Sequence, residues 1–135
     1  MSIPEFIKTQ PQERQKLLSD LHAIIVEMDK TISPEISQMM GTQMIIYNAP
    51  GTFKYGLASV KNHMSLHLLP MYSSPALYEK YKTILPNASF QKGCINFRNE
   101  LEMPLKIVKN LISDCSKIDL PAIRQQQLAS RRKKS

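Results

Sequence analysis

The sequence predicts an α+β domain in which helices pack on one face of an antiparallel sheet of about four or five strands. Three observations predict this class. Apolar residues recur at helical spacing near both ends, residues 44–69 contain three segments of strand length, the last of which alternates between polar and apolar side chains, and turn residues separate these segments. A chain of 135 residues is long enough for one such domain. We expect the domain to cover residues 1–120.

Two helices are predicted before the sheet. The first spans residues 10–30, with Thr9 as its N-cap, because leucine and isoleucine recur there every three or four residues. A short second helix is expected from Ser33 to Gly41, since serine followed by proline is typical of a helix start and glycine of a helix end.

The central segment predicts a three-stranded meander. Its strands cover residues 44–47, 53–60 and 64–69, separated by turns at residues 48–51 and 61–62. In the third strand Met64, Leu66 and Leu68 point one way, while Ser65 and His67 point the other. The alternation therefore predicts one dry face and one more polar face.

The remaining elements are two helices and a strand. Proline opens a helix over about residues 75–85 and another over about residues 104–117, and a short strand, GCINF, covers residues 93–97 between them. We expect seven residues of these helical stripes and of the third strand to form the core: Leu21, Ile25, Leu66, Leu68, Val108, Leu111 and Ile112.

The charge is concentrated at one end of the chain. The formal charge is +7, but residues 121–135 hold five of the 18 basic residues and no acid. The first 120 residues therefore hold 13 basic and 11 acidic residues, a charge of +2. We interpret residues 121–135 as a basic, mobile tail that could attract nucleic acid.

Several segments resemble one family. The N-terminal helix, the turn in MIIYNAPGTFKYG, the strands LASVKNHMSLHLL and the unit GCINFRNELEMPLKIVKNLI are similar to the YdhG-like family of small bacterial domains of unknown function. The resemblance covers roughly residues 3–115 and implies their α+β fold. Some members are described as frataxin-like iron chaperones, so it also implies ferrous iron held at exposed carboxylates. From the residues themselves we expect no cofactor. The acids that come closest together, Glu27, Asp29 and Glu35, are interpreted as solvated charges at a helix end.

The thiols and histidines give weak signals for chemistry. Cys94 and Cys115 are interpreted as reduced, buried cysteines, because the chain has no export signal at its start and only two thiols. His63 and His67 share a strand face but lie about 13 Å apart, too far for one metal ion. His22 is expected to be exposed. We therefore predict no catalytic residue and no metal site, and we expect a cytoplasmic protein that spans no membrane.

A group of polar and aromatic residues is the predicted ligand site. Most of them occupy strand positions that alternate away from the apolar face, or the adjoining turns, where they suit a small anionic ligand or a flat partner. The group consists of Tyr47, Asn48, Tyr55, Lys61, His63, His67, Tyr72 and Arg98. A solvated sheet face with cross-strand aromatic pairs is the alternative interpretation.

Three functions compete on this sequence. The first is a non-catalytic domain that binds a small ligand or a protein partner on its polar sheet face. The second is an enzyme whose site is assembled in space around Cys94 or the histidines, and the third is a nucleic-acid-associated protein acting through the basic tail. We choose the first hypothesis, with iron chaperoning as the alternative that the resemblance implies. The sequence leaves monomer and homodimer open.

Overall fold

The computed structural model describes residues 1–39, 41–91 and 93–120 of the chain. The predicted basic tail, residues 121–135, lies outside the described residues. The elements follow one another as α1 (Ile3–Lys8), α2 (Gln12–Met28), β1 (Ser33–Met39), β2 (Thr42–Ala49), β3 (Thr52–Ser59), β4 (Met64–Leu68), α3 (Leu69–Ser73), α4 (Pro75–Ile84), β5 (Ser89–Gln91), β6 (Cys94–Phe97) and α5 (Leu105–Ser116).

The strands form one antiparallel sheet in the order β1-β2-β3-β4-β6-β5. The first four strands follow chain order and make the meander, while β6 pairs with β4 and places β5 at the far edge. The α+β class is confirmed. The strand number is slightly higher than predicted, because β5 has only three residues and β1 carries a helix-like start.

The predicted second helix is wrong, since residues 33–39 form β1. Ser33 and Pro34 resemble a helix start, but β1 pairs with β2 over its whole length, from Ser33↔Asn48 to Met39↔Thr42. Ile36 also packs against the main core from this edge strand. Gly41, with φ of +79°, belongs to the connection between the two strands rather than to a helix end.

The predicted first helix, residues 10–30, is confirmed as α2, which begins two residues later and ends two residues earlier, and a short helix that was not predicted, α1, precedes it. Ser2 accepts a hydrogen bond from the backbone N–H of Glu5 and starts α1, whereas Thr9 ends it by donating from Oγ1 to the Phe6 carbonyl at 2.6 Å. Pro11 then precedes α2 in an extended conformation. Thr9 is therefore a C-cap, because the first six helical residues form a separate turn-and-a-half that buries Phe6.

The main core lies between the helices and one face of the sheet, which we call the inner face. All seven predicted core residues are fully buried there, as the helical stripes and the alternation of β4 require. Arg14 of α2 also fixes the β3–β4 turn. Its guanidinium donates to Ser59 Oγ at 2.9 Å and to the carbonyls of Val60 and Lys61.

Candidate functional site

The sheet face opposite the main core, which we call the outer face, is also apolar. Met44, Ile46 and Ala58 form a small buried cluster there, and Met39 and Phe53 pack against it. These residues alternate with the inner-face residues of the same strands, so β2 and β3 are apolar on both sides. The outer face is therefore not the polar surface that the sequence predicted.

A groove of about 740 Å³ runs along this outer face. Its walls combine aromatic, thioether and aliphatic side chains with the ring of His67 and the thiol of Cys94. The lining residues are Met39, Phe53, His67, Leu68, Leu69, Tyr72, Gln91, Gly93 and Cys94. Both the volume and the mainly apolar lining fall within the range of small-molecule sites.

Two glycines allow the aromatic walls of the groove to approach the sheet. A Cβ at Gly56 would lie 3.2 Å from the Phe53 ring and 3.1 Å from Met44 Sδ, so the ring rests directly on the backbone. A Cβ at Gly93 would lie 3.0 Å from Cβ of Tyr72. Tyr72 is 61% exposed, so its ring forms a wall that is not held in the core.

Cys94 and His67 are direct cross-strand neighbours within the groove. This proximity was not predicted, because 27 positions separate the two residues in the chain. Burial raises the pKa of the Cys94 thiol and lowers the pKa of His67. Both shifts favour the uncharged forms, so the pair has little thiolate character for nucleophilic chemistry. Cys94 is half-buried rather than buried as predicted.

A smaller, polar cleft of about 290 Å³ lies at one end of the same surface. It is lined by Asn62, His63, Asn87, Ser89, Asn96, Phe97, Arg98 and Glu102. Ser65 donates to Asn96 Oδ1 at 2.6 Å in its floor, and Arg98 forms an ion pair with Glu102 at 2.8 Å on its rim. Arg14 donates to the carbonyls of Lys61 and His63, the residues on either side of Asn62.

The inner face contains a buried ion pair that the sequence did not indicate. Lys54 Nζ lies 2.7 Å from Asp29 Oδ2, and the two side chains are 3% and 0% exposed. Tyr55 also donates to Oδ2, while the backbone N–H and Oγ1 of Thr31 donate to Oδ1. Burial by itself would raise the pKa of Asp29, but the hydrogen bonds from Lys54, Thr31 and Tyr55 outweigh it and hold the pKa below its usual value.

A β-bulge brings these groups together. The register passes from Tyr47↔Tyr55 to Asn48↔Phe53, so Lys54 is an extra residue on β3. The bulge re-aims Lys54 toward Asp29 on the inner side and shifts the alternation by one position. Phe53 consequently lies on the outer face, although a regular strand would place it beside Tyr55 on the inner face.

Tyr47 and Tyr55 do not belong to a ligand site, contrary to the prediction. Both are 0% exposed and lie in the main core with their rings edge to face. The Tyr47 hydroxyl lies 2.7 Å from Nδ1 of His22, which is half-buried rather than exposed as expected. A buried tyrosine packs its ring in the core while its hydroxyl forms a hydrogen bond with a partner. The polar hydroxyl therefore does not show that a tyrosine points toward solvent.

The other predicted site residues are divided between separate places. His67 and Tyr72 line the groove, whereas His63 and Arg98 line the polar cleft. Asn48 hydrogen-bonds Glu35 at the β1 edge, and Lys61 is exposed in the β3–β4 turn. The prediction named neither Met39 nor Phe53, and only the bulge at Lys54 explains why Phe53 faces outward.

The three acids of the predicted helix-end cluster do not behave alike. Asp29 is 1% exposed and both its oxygens are occupied, so it is not the solvated charge that we expected. Glu35 accepts a hydrogen bond from Asn48 at 3.0 Å, and Glu27 lines a depression between α2 and α5. Within residues 1–39, 41–91 and 93–120, no group of three or more His, Cys, Asp or Glu side chains could hold a metal ion.

A second cavity of about 740 Å³ lies beside the C-terminal ends of α2 and α5 and the turn between β2 and β3. Its lining includes Lys30, Thr31, Lys54 and Lys117. The Lys54 ammonium group already contacts Asp29 and Thr31, so Asp29 neutralises its positive charge within the protein. The aromatic walls of the outer-face groove make that groove the better candidate for ligand binding.

Comparisons with family models, curated proteins and solved structures find no match to this chain. The similarity to the YdhG-like family therefore stays a prediction from the residues. In the part of the chain that the structure describes, no helix is both long and apolar enough to cross a membrane.

Proposed function

We propose that this protein is a non-catalytic binding domain that takes a small, mainly apolar ligand into the groove of its outer sheet face. The observation that supports it is the groove itself, about 740 Å³ in volume and walled by Phe53, Tyr72 and Met39. A ligand that covers the apolar side chains of a concave surface removes them from water, and this burial stabilises the complex. The neutral forms favoured for His67 and Cys94 suit a lining role.

A tryptophan reporter tests the proposal. The chain contains no tryptophan, so Tyr72→Trp places the single indole fluorophore in the wall of the groove. Octan-1-ol, which has an eight-carbon chain and a single hydroxyl group, serves as the mainly apolar probe. We expect a saturable blue shift of the indole emission below the solubility limit of the alcohol. The control reporter is Leu101→Trp on the loop before α5, where Leu101 is 85% exposed, and it should not respond.

A groove-wall variant makes the test specific. In the Tyr72→Trp protein, Phe53→Ala should weaken octan-1-ol about tenfold, because about 1.4 kcal/mol of ring contact is lost. Ile84→Ala removes a 43% exposed side chain from α4 and should leave the affinity unchanged. Equal responses of the two reporters, or equal affinities of the two alanine variants, would rule out binding in the groove.

A further inference from the structure

The groove and the polar cleft occupy neighbouring rows of the same sheet surface. His67, Cys94 and Gln91 are cross-strand partners and all line the groove. Asn96 and Ser89 are partners in the row two residues further along and line the cleft. Adjacent rows on one face are about 7 Å apart, so one molecule can contact both.

The polar cleft is electrically balanced. Arg98 is neutralised by Glu102, whose pKa is held below its usual value by the Arg98 hydrogen bonds. The other polar groups are the imidazole of His63, the side-chain amides of Asn62, Asn87 and Asn96, and the hydroxyl of Ser89. Amide and hydroxyl groups both donate and accept hydrogen bonds, which matches ligand hydroxyls better than it matches a carboxylate or an ammonium group.

The cleft is also held in shape before any ligand arrives. Asn96 Oδ1 accepts a hydrogen bond from the buried Ser65 hydroxyl, so the NH₂ group of Asn96 is the part of this side chain that can donate to a ligand. The β3–β4 turn is fixed by Arg14, which donates to the carbonyls of Lys61 and His63. A fixed set of donors and acceptors lowers the entropic cost of binding a polar group.

From this juxtaposition we infer that the ligand is amphipathic, with an apolar body in the groove and an uncharged head that carries several hydroxyl groups in the polar cleft. The inference depends on the proposed function, because it assigns the ligand class of the same groove. His67 in the groove and His63 in the cleft are four residues apart in the chain, and the distance between them is about 13 Å if that segment is extended. A body of about eight carbons with a single polyhydroxyl head matches that span.

Three probes with an alkyl chain of seven or eight carbons, measured with the full-length Tyr72→Trp reporter, separate binding in the groove from binding of a head group in the cleft. They are octan-1-ol, octyl β-glucoside below its micelle concentration, and octanoate. We expect the glucoside to bind at least tenfold more tightly than the alcohol, and octanoate to gain nothing over the alcohol. If the alcohol binds and the glucoside is no tighter, the amphipathic ligand is wrong while groove binding stands. If neither binds, the proposed function is wrong as well.

Cleft variants complete the test. Asn62→Ala combined with Asn87→Ala changes two exposed residues outside the helices and strands and should remove the tenfold advantage of the glucoside without weakening octan-1-ol. Asn110→Ala on the exposed side of α5 is the matched control and should change neither affinity. An unchanged glucoside advantage in the double variant would overturn the assignment of the head group to the cleft.

Discussion

The two faces of this sheet are apolar for different reasons and contain their polar groups in different ways. The inner face is covered by α2 and α5, and it includes an ion pair and two tyrosines that are fully satisfied inside the core. The outer face has its apolar residues around a groove, with polar groups gathered in a cleft at one end. Polarity in the sequence therefore does not identify the exposed side of this sheet.

Breaking the ion pair tests the inner face most severely. Lys54→Met leaves the Asp29 carboxylate buried without its cation, and we expect a loss of about 3–5 kcal/mol in the free energy of unfolding. Urea titration measures it. Lys106→Met, at an exposed position on α5, is the control and should stay within about 0.5 kcal/mol of wild type.

The double variant Asp29→Asn with Lys54→Met sharpens this result. It removes both charges, so most of the loss should be recovered, since replacing a whole buried pair is often nearly neutral. A double variant no more stable than Lys54→Met would show that the geometry of the bulge, rather than the unpaired charge, causes the destabilisation.

Packing between the helices and the inner face gives the next largest effect. Leu111 of α5 is 0% exposed in the main core, and Leu111→Ala should cost about 2–5 kcal/mol through lost contacts and a cavity. Leu101→Ala makes the same chemical change at an 85% exposed loop position and should cost less than about 0.5 kcal/mol. A loss below about 1 kcal/mol for Leu111→Ala would contradict the docking of α5.

The pH dependence of the unfolding free energy tests the inner face through Asp29. Its pKa is lowered in the folded state, so the unfolded chain takes up the proton first as the pH falls. The stabilisation is thus fully present above the unfolded carboxyl pKa of about 3.9 and is lost as the pH falls through the folded value. Unfolding free energies from pH 6 downward should fall less steeply in the Asp29→Asn, Lys54→Met double variant than in wild type. If the unfolding free energies of the two proteins fall equally steeply with pH, Asp29 does not contribute to the acid sensitivity.

The smallest effect on stability is expected on the outer face. Tyr72 is 61% exposed, so Tyr72→Ala should change the free energy of unfolding by no more than about 0.5 kcal/mol, although it removes a wall of the groove. Thermal and urea unfolding measure this. A loss above about 2 kcal/mol would mean that Tyr72 supports the fold, and the outer face would then resemble the inner one.

Local patterns in the sequence predicted much of the fold. The helical repeat of α5 and the alternation of β4 each depend on neighbours within a few residues, and Val108, Leu111, Leu66 and Leu68 were all correctly placed in the core. β1 was missed because its cap-like start favours a helix, and pairing with β2 outweighs that local preference.

The candidate site could be predicted only in part. His67 and Tyr72 were named and do line the groove, whereas Tyr47 and Tyr55 were assigned to the wrong face. Phe53 was not named, and regular alternation would have placed it on the same face as Tyr55, from which the bulge separates it. No local feature of the residues around Lys54 distinguishes a bulged strand from a regular one.

The sequence by itself determined the α+β class, the helical stripes and the position of most turns, because these follow from side-chain periodicity and from turn chemistry over short stretches. Only the tertiary structure decided which faces Tyr47, Tyr55 and Phe53 occupy. The tyrosines lie on the inner face because their hydroxyls find buried partners there, and one extra residue in β3 places Phe53 on the outer face. The bulge places Lys54 at Asp29, a partner 25 positions away in the chain.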